Sequence, residues 1–545
     1  MYNNDPKVIS GAMLLIGSAL ILSNNAQAIT QDEILANQVK TTAVETPKFW
    51  IDSGKASLDK ADRIANNKKK AKNVILFIGD GMGISTVAAS RIFEGQSQPG
   101  NRGGEEHSLS FEKFPHVALS KVYQVNQQTP DSAPTMSSMM TGVKTNDGEL
   151  SVGAIVPRYE LSGKVIDDNK TITLLEQAED RGMSTGVVST ARITHATPAA
   201  CYAHISNRDW EGDTLLPAGS SVKDIAYQLV NFHKNTNFKS DGLEVALGGG
   251  RSYFMPDTMT DPEDTTKKGL RKDSDLTSQW TSQYKNAAYV YDKKGWDAID
   301  VKNTDHLLGL FESSNHMEYE ADRLKDTGGE PSLTEMTEKA IQILKKNPKG
   351  YFLMVEAGRI DHAHHVGNAY RALTDTVELS KAVQKAVDMT DSAANDTLII
   401  VSADHSHTFT IGGYPQRGNP ILGLVTGSGA KSYTLDANKK PYATLSYANG
   451  PGSRPRPTLT ASVDILQEFA PATEKITGDL SITDTMHPNF LQEATVPLGS
   501  ETHAAEEVAI YAKGPRAYLF QGTQEQSYIY QVMAKALGIT PTVYK

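Results

Sequence analysis

The chain has 545 residues, with 64 acidic against 54 basic side chains and a formal net charge of −10. This balance, with no Lys/Arg run long enough to track a phosphate backbone, argues against a nucleic-acid binder; the densest basic stretch, "NNKKKAK" (66–72), reads as a solvated lead-in to a strand. The length admits several domains or one large α/β core with insertions, and core material is ample.

The amino terminus carries the apolar run "GAMLLIGSALIL" (11–22), too short to span a bilayer, followed by "NNAQA" ending at Ala28. It reads as a signal peptide cut after Ala28, with a weak basic region because Asp5 offsets Lys7. The mature chain is therefore expected in the periplasm or secreted. No later stretch approaches the ~20 apolar residues of a membrane span, so no membrane association is expected of the mature form. Cys201 is the single cysteine and can close no intramolecular disulfide.

Short apolar, β-rich runs then alternate with helical patterns: "NVILFIGDG" (73–81), "STGVVST" (184–190), "LEVALGGG" (243–250), "GYFLMVEAG" (350–358), "TLIIVSADH" (397–405) and "EEVAIYAKG" (506–514). Continuous apolar strands separated by amphipathic helices predict an α/β fold whose central, mostly parallel sheet is flanked by helices on both faces. "SLTEMTEKAIQILKKN" (332–347) is a predicted helix opened by a Ser332/Glu335 capping box. Residues 254–330, polar and rich in Asp, Lys and Thr, and 406–502, with many Gly, Pro, Ser and Thr, break the rhythm. Both read as insertions with structure of their own, because loops of that length are uncommon in a compact domain.

Ligands of open α/β sheets sit beyond the carboxyl ends of the strands, where Asp80, Glu356, Asp404 and His405 all fall. "FIGDGMG" (77–83) only partly matches a dinucleotide fingerprint and is weak evidence for a nucleotide. In "GRIDHAHHVG" (358–367), a helix would put Asp361 and His365 on one face, four residues apart, with His362 turned about 100° away. Carboxylates with imidazoles suit zinc, and carboxylate with hydroxyl suits magnesium. In "TPDSAPTMSSMMTGVKTNDG" (129–148), Ser132 opens a plausible helix, either as a simple cap or as a residue placed where backbone N–H groups stabilise an anion. No G-x-S-x-G elbow surrounds it, so a nucleophilic role would need another activator, such as a metal ion.

Taken together, "GDGMG", "PDSA", "THATPAA" (194–200), "NRDWEGD" (207–213), "VEAGRIDHAHH" (355–365), "ADHSH" and a late "THA" (502–504) resemble the alkaline phosphatases, in order and in approximate spacing from about 73 to 515. The resemblance implies a phosphoric monoester hydrolase with two zinc ions and one magnesium per chain, working through a phosphoserine on Ser132. It implies one zinc on Asp361, His365 and His503, and a second on Asp80, Asp404 and His405. Asp80, Glu356 and Thr197 would hold the third ion, and Arg208 would grip two phosphate oxygens. His195 and His362 fill a paired position near the phosphate and the third ion, where imidazole favours zinc over magnesium; His364 is expected to support the site from behind.

The same resemblance implies an N-terminal arm (29–72), a core of 73–405 and 503–545, a crown-like insertion at 406–502 and a homodimer. His407 and His487 remain alternatives to His503. Among competing readings, a sulfatase lacks support because Ser132-Ala-Pro134-Thr-Met136 has the proline of that motif without its arginine. A phosphodiesterase could share the two-metal core, and a periplasmic zinc or phosphate-binding protein would need no nucleophile.

Overall fold

In the computed structural model the described residues are 45–98, 103–235, 238–392, 395–453, 480 and 484–541. The expected signal peptide and its cleavage point lie outside them, as do most of residues 454–483. Fifteen strands are described: β1 (Asn73–Gly79), β2 (His116–Lys121), β3 (Ser184–Arg192), β4 (Val245–Gly249), β5 (Ala287–Val290), β6 (His306–Leu310), β7 (Tyr351–Ala357), β8 (Thr397–Ala403), β9 (Ser406–His407), β10 (Phe409–Ile411), β11 (Leu445–Gly450), β12 (Glu493–Pro497), β13 (His503–Ala504), β14 (Val508–Lys513) and β15 (Thr523–Glu525).

Ten of them form one sheet in the order β15-β2-β14-β8-β1-β7-β3-β4-β6-β5. Its central strands β1, β3, β7 and β8 are buried at every position but Asn73 and are mostly apolar, because both faces are covered. Along β1, Val74, Leu76 and Ile78 join one core, while Ile75 and Phe77 join the other. The first core takes Met136, Met139 and Met140 from helix Ser132–Thr141 and Val532 and Met533 from helix Tyr528–Leu537. The second takes Met336, Ala340 and Ile343 from helix Leu333–Leu344 and Leu379 and Val383 from helix Ala369–Thr390. Each fully buried Ile, Leu or Phe contributes about 1.5–3 kcal/mol of hydrophobic stabilisation. The Ser332/Glu335 capping box forms as predicted, with each side chain accepting from the other residue's backbone N–H.

Three features differ from the sequence reading. Residues 254–330 supply β5 and β6, the edge of the central sheet, so this region is only partly an insertion. Short apolar runs such as "HLLGL" are diluted there by polar neighbours. The strand at 506–514 is present as β14, yet it runs antiparallel to both β8 and β2. β2 itself alternates exposed and buried positions, a pattern a search for continuous apolar runs passes over.

After β8 the chain leaves the core and builds a small sheet, β10-β11-β12, packed through Phe409, Leu445 and Tyr447. It returns through β13, whose His503 pairs with His407 of β9, directly before β14. Helix Pro47–Asp62 has no buried residue.

Candidate active site

β8, β1 and β7 lie side by side and parallel, so their carboxyl ends bring Asp404, Asp80 and Glu356 to one edge. The turn after β1 requires a glycine: Gly81 has φ +67°, and a Cβ there would lie 2.3 Å from His407 Nε2. Its N–H donates to Asp404 Oδ1 at 3.0 Å, as does the His405 N–H at 2.9 Å. His405 Nε2 faces Asp404 Oδ2 at 3.3 Å and Asp80 Oδ1 at 3.4 Å. Ser132 is the first residue of its helix, and the cap is Asp131, which accepts the Ala133 N–H. Ser132 Oγ lies 3.2 Å from His405 Nε2 and 3.5 Å from Asp80 Oδ1, at the positive end of a ten-residue buried helix.

Helix Arg359–His365 presents Asp361 and His365 together, as the four-residue spacing predicts. His365 Nδ1 donates to the Glu501 carbonyl at 2.7 Å, and His503 Nδ1 donates to the Pro130 carbonyl at 2.8 Å. Their Nε2 atoms, then unprotonated, face each other at 3.1 Å, each 3.3 Å from Asp361 Oδ1. Two lone pairs and a carboxylate converging in this way call for a cation. When the imidazoles carry protons instead, burial still raises the Asp361 carboxyl, but His365, His407 and His503 outweigh it and hold the group well below the usual range.

A third group lies beside the first. Asp80, His195 and Glu356 place ligand atoms within 4.8 Å of one another. Asp80 Oδ2, Thr197 Oγ1, Glu356 Oε1, Asp404 Oδ2 and His195 Nδ1 are all buried without a hydrogen-bond partner. Orphaned oxygens at this density are costly unless a cation binds them, and the carboxylate-hydroxyl donor set fits a hard divalent ion. Burial, reinforced by Asp404, Asp361 and Glu356, pushes the Asp80 carboxyl well up, and burial lifts Glu356 to about 7.

The family profile described as alkaline phosphatase matches residues 71–539. The chain is 41% identical to the human tissue-nonspecific isozyme of alkaline phosphatase over 93% of its own length and 91% of that protein. It is 41% identical to the alkaline phosphatase of Gadus morhua over 90% of its length and 97% of the relative. The chain belongs to the alkaline phosphatase family. It is an enzyme that hydrolyses phosphate monoesters. The fold agrees with solved alkaline phosphatases: that of Thermus thermophilus covers 87% of this chain and 93% of its own at 22% identity, with a TM-score of 0.58. That of the Antarctic bacterium TAB5 covers 87% and 99% at 21% identity, with a TM-score of 0.55. A variant of the TAB5 enzyme, matching at 20% identity over 87% of this chain and 99% of its own with a TM-score of 0.55, was solved with magnesium bound in its M3 site.

This alkaline phosphatase gathers its polar residues around a cleft of about 550 Å³ that Ser132, Asp361, His365 and His503 reach from one side. Arg208 is held there by Asp131, while its Nη2 donates to His195 Nε2 at 2.7 Å. The rings of His195 and His362 lie 5.5 Å apart. His364 is engaged elsewhere, bonded to Thr86 Oγ1 at 3.0 Å and Tyr447 OH at 2.8 Å.

Of the alternatives to His503, His487 accepts the Asn489 N–H within its own turn. His407 touches Asp361 but is committed on both sides: Nε2 donates to Asp361 Oδ1 at 2.8 Å and Nδ1 to Glu501 Oε2 at 2.5 Å. Burial would lower its pKa, yet the two carboxylates lift it to about 10. Sequence motifs missed Arg158, Arg192, Glu211 and His316 in the cleft wall and Glu501 behind it. A buried arginine at the end of β3 was the one available signal, since such a charge demands partners.

Proposed function

We propose that the enzyme acts through a phosphoserine on Ser132, with a zinc ion on Asp361, His365 and His503, a second on Asp80, Asp404 and His405, and a third ion, magnesium, on Asp80, Thr197 and Glu356. His195 borders that third position, and its imidazole makes zinc a competitor there. The metal ions, when bound, supply positive charge that lowers the pKa of an oxygen nucleophile and stabilises a leaving oxygen. The rest is the work of side chains. The observation that carries the reading is Ser132 Oγ, buried at a helix start and 3.2 Å from His405 Nε2.

Ser132 Oγ forms a bond to phosphorus as the ester P–O bond breaks, and the alcohol departs. Water then attacks phosphorus, the Ser132 P–O bond breaks and inorganic phosphate is released. The transition state is loose, so catalysis rests on position and on charge against the equatorial oxygens. Arg208 suits this task, since a planar guanidinium can release Asp131 and His195 to fork two phosphate oxygens. Asp131 and the Pro130 carbonyl hold Arg208 and His503 on the two sides of Ser132, so one turn fixes nucleophile, phosphate clamp and metal ligand.

The test strips the protein with a chelator, restores zinc and magnesium separately and together, and follows p-nitrophenyl phosphate hydrolysis from pH 7 to 11 beside Ser132→Ala. Phosphate trapped on a serine at low pH, lost in Ser132→Ala, supports the reading. Full phosphoryl-enzyme formation in Ser132→Ala would sink it. We also propose export to the periplasm or medium, supported by the leader at 1–28; a mature chain beginning with any residue before 20 contradicts it. Homodimer formation has support in helix Pro47–Asp62, which exposes Trp50, Ile51 and Leu58; a monomer mass by light scattering removes it.

A further inference from the structure

His316 belongs to no motif and has no part in the reaction just described. It follows β6, is 3% exposed, and its ring lies 3.9 Å from that of His362 and 5.1 Å from that of His195. Both of its nitrogens face donors of a single residue. The Arg192 backbone N–H donates to Nδ1 at 3.1 Å, and Arg192 Nη1 lies 3.0 Å from Nε2.

A guanidinium offers no acceptor, a neutral imidazole accepts at one nitrogen only, and a charged imidazole donates at both. In every protonation state, therefore, at least one N–H of this buried ring is aimed at a donor. With Nδ1 accepting from the backbone, the hydrogen sits on Nε2 and meets the hydrogens of Nη1. A buried donor without an acceptor is costly, whereas one oxyanion beside the pair takes both N–H groups at once.

The carboxylates nearby are already engaged. Asp131 holds Arg208, Asp147 holds Arg158, and Glu211 accepts from Arg192 Nε and Nη2 at 2.9 and 2.8 Å. The nitrogens of His195, His316 and His362 lie within 4.8 Å of one another, a donor set that would suit a metal. The fixed charge of Arg192, 3.0 Å from Nε2, opposes a cation and favours an anion. Arg192, His195, Arg208, His316 and Ser132 all line the same cleft, so an anion on His316 can belong to a molecule whose phosphate is at Ser132.

We propose that His316 Nε2 and Arg192 Nη1 form a second anion subsite, which receives a carboxylate or second phosphate carried by the leaving group of the substrate. The proposal rests on the phosphomonoesterase reading of the cleft. Substrates with an anionic leaving group are then favoured over those with a neutral one.

The test compares kcat/KM of wild type and His316→Phe for phosphoenolpyruvate, pyrophosphate and phenyl phosphate. The expected result is a loss for one or both anionic compounds at least tenfold greater than the loss for phenyl phosphate; the compound affected tells carboxylate from phosphate. His316→Gln, which keeps an N–H donor, is expected to recover part of the preference. Equal losses for all three compounds overturn the proposal, as does the loss of a bound metal equivalent in His316→Phe. A crystal of the wild-type holoenzyme with methylenebisphosphonate tests the subsite independently of how the variants fold. One phosphonate should lie at Ser132 and the other within hydrogen-bond reach of His316 Nε2; a second phosphonate turned to Arg158 or solvent overturns the subsite. Absence of phenyl phosphate turnover by wild type would strike the underlying reading instead.

Discussion

Glu501 organises two of the three residues assigned to the first zinc. Its carbonyl accepts from His365 Nδ1 at 2.7 Å. Its carboxylate accepts from His407 Nδ1 at 2.5 Å and from Thr408 N and Oγ1 at 2.7 and 2.6 Å, and His407 donates onward to Asp361. Glu501→Gln preserves size and the backbone carbonyl but removes the charge and turns an N–H toward one of three donors. A buried donor left without an acceptor costs about 1–3 kcal/mol. Changing an outer partner of a metal ligand weakens binding about 10–100-fold, or about 1.4–2.8 kcal/mol, so two independent routes agree on the size. We expect one zinc equivalent to weaken by that factor in competition with a chromophoric chelator while the other keeps its affinity. Cobalt(II) substitution should show a changed absorption band from one site only. A competition curve identical to wild type would refute the reasoning, and near-ultraviolet circular dichroism of the metal-free variant checks that its packing is intact.

Magnesium affinity should rise with pH and level off above about 7, because burial lifts Glu356 to about 7 and the ion needs its carboxylate free. Titration calorimetry from pH 6 to 8 with constant affinity contradicts this. The metal-free enzyme should lose stability as pH rises. The pKa of His407 is raised to about 10 by Glu501 and Asp361 against burial, so its contribution is complete below the unfolded value near 6.5 and lost on the way to about 10. Urea midpoints that increase over that window argue against it. Gly81→Ala should cost at least about 1–3 kcal/mol, since it strains a left-handed turn and drives a Cβ into His407; denaturant unfolding with zinc stoichiometry measures both effects.

The candidate site was legible wherever metal-capable residues cluster in sequence at a strand end. Asp404 and His405 leave β8 together, and Asp361 and His365 share one helical turn, so local spacing alone places each pair. His316 was invisible because it acquires meaning only through Arg192, 124 residues earlier in the chain. Glu501 was missed for the same reason, being joined to His407 across 94 residues. The central strands could be read because burial on both faces makes them continuously apolar. β5 and β6 were lost in polar surroundings, and the reversed direction of β14 leaves no mark on the residues of the strand itself.

That reversal has a consequence for timing. β2 pairs only with β14 and β15 in the central sheet, so Ser120 must wait for Val508 before it has a partner. Pairings so distant in sequence carry a large loop-closure cost and form late. His503 arrives on the same returning segment. A chain interrupted between His405 and His503 holds Ser132, the residues proposed for the second metal and two of those proposed for the first, yet cannot close the first metal's set. The order in which the residues are made thus withholds the complete proposed metal set until synthesis is nearly finished, and a chain exported as proposed would capture its ions as a whole molecule.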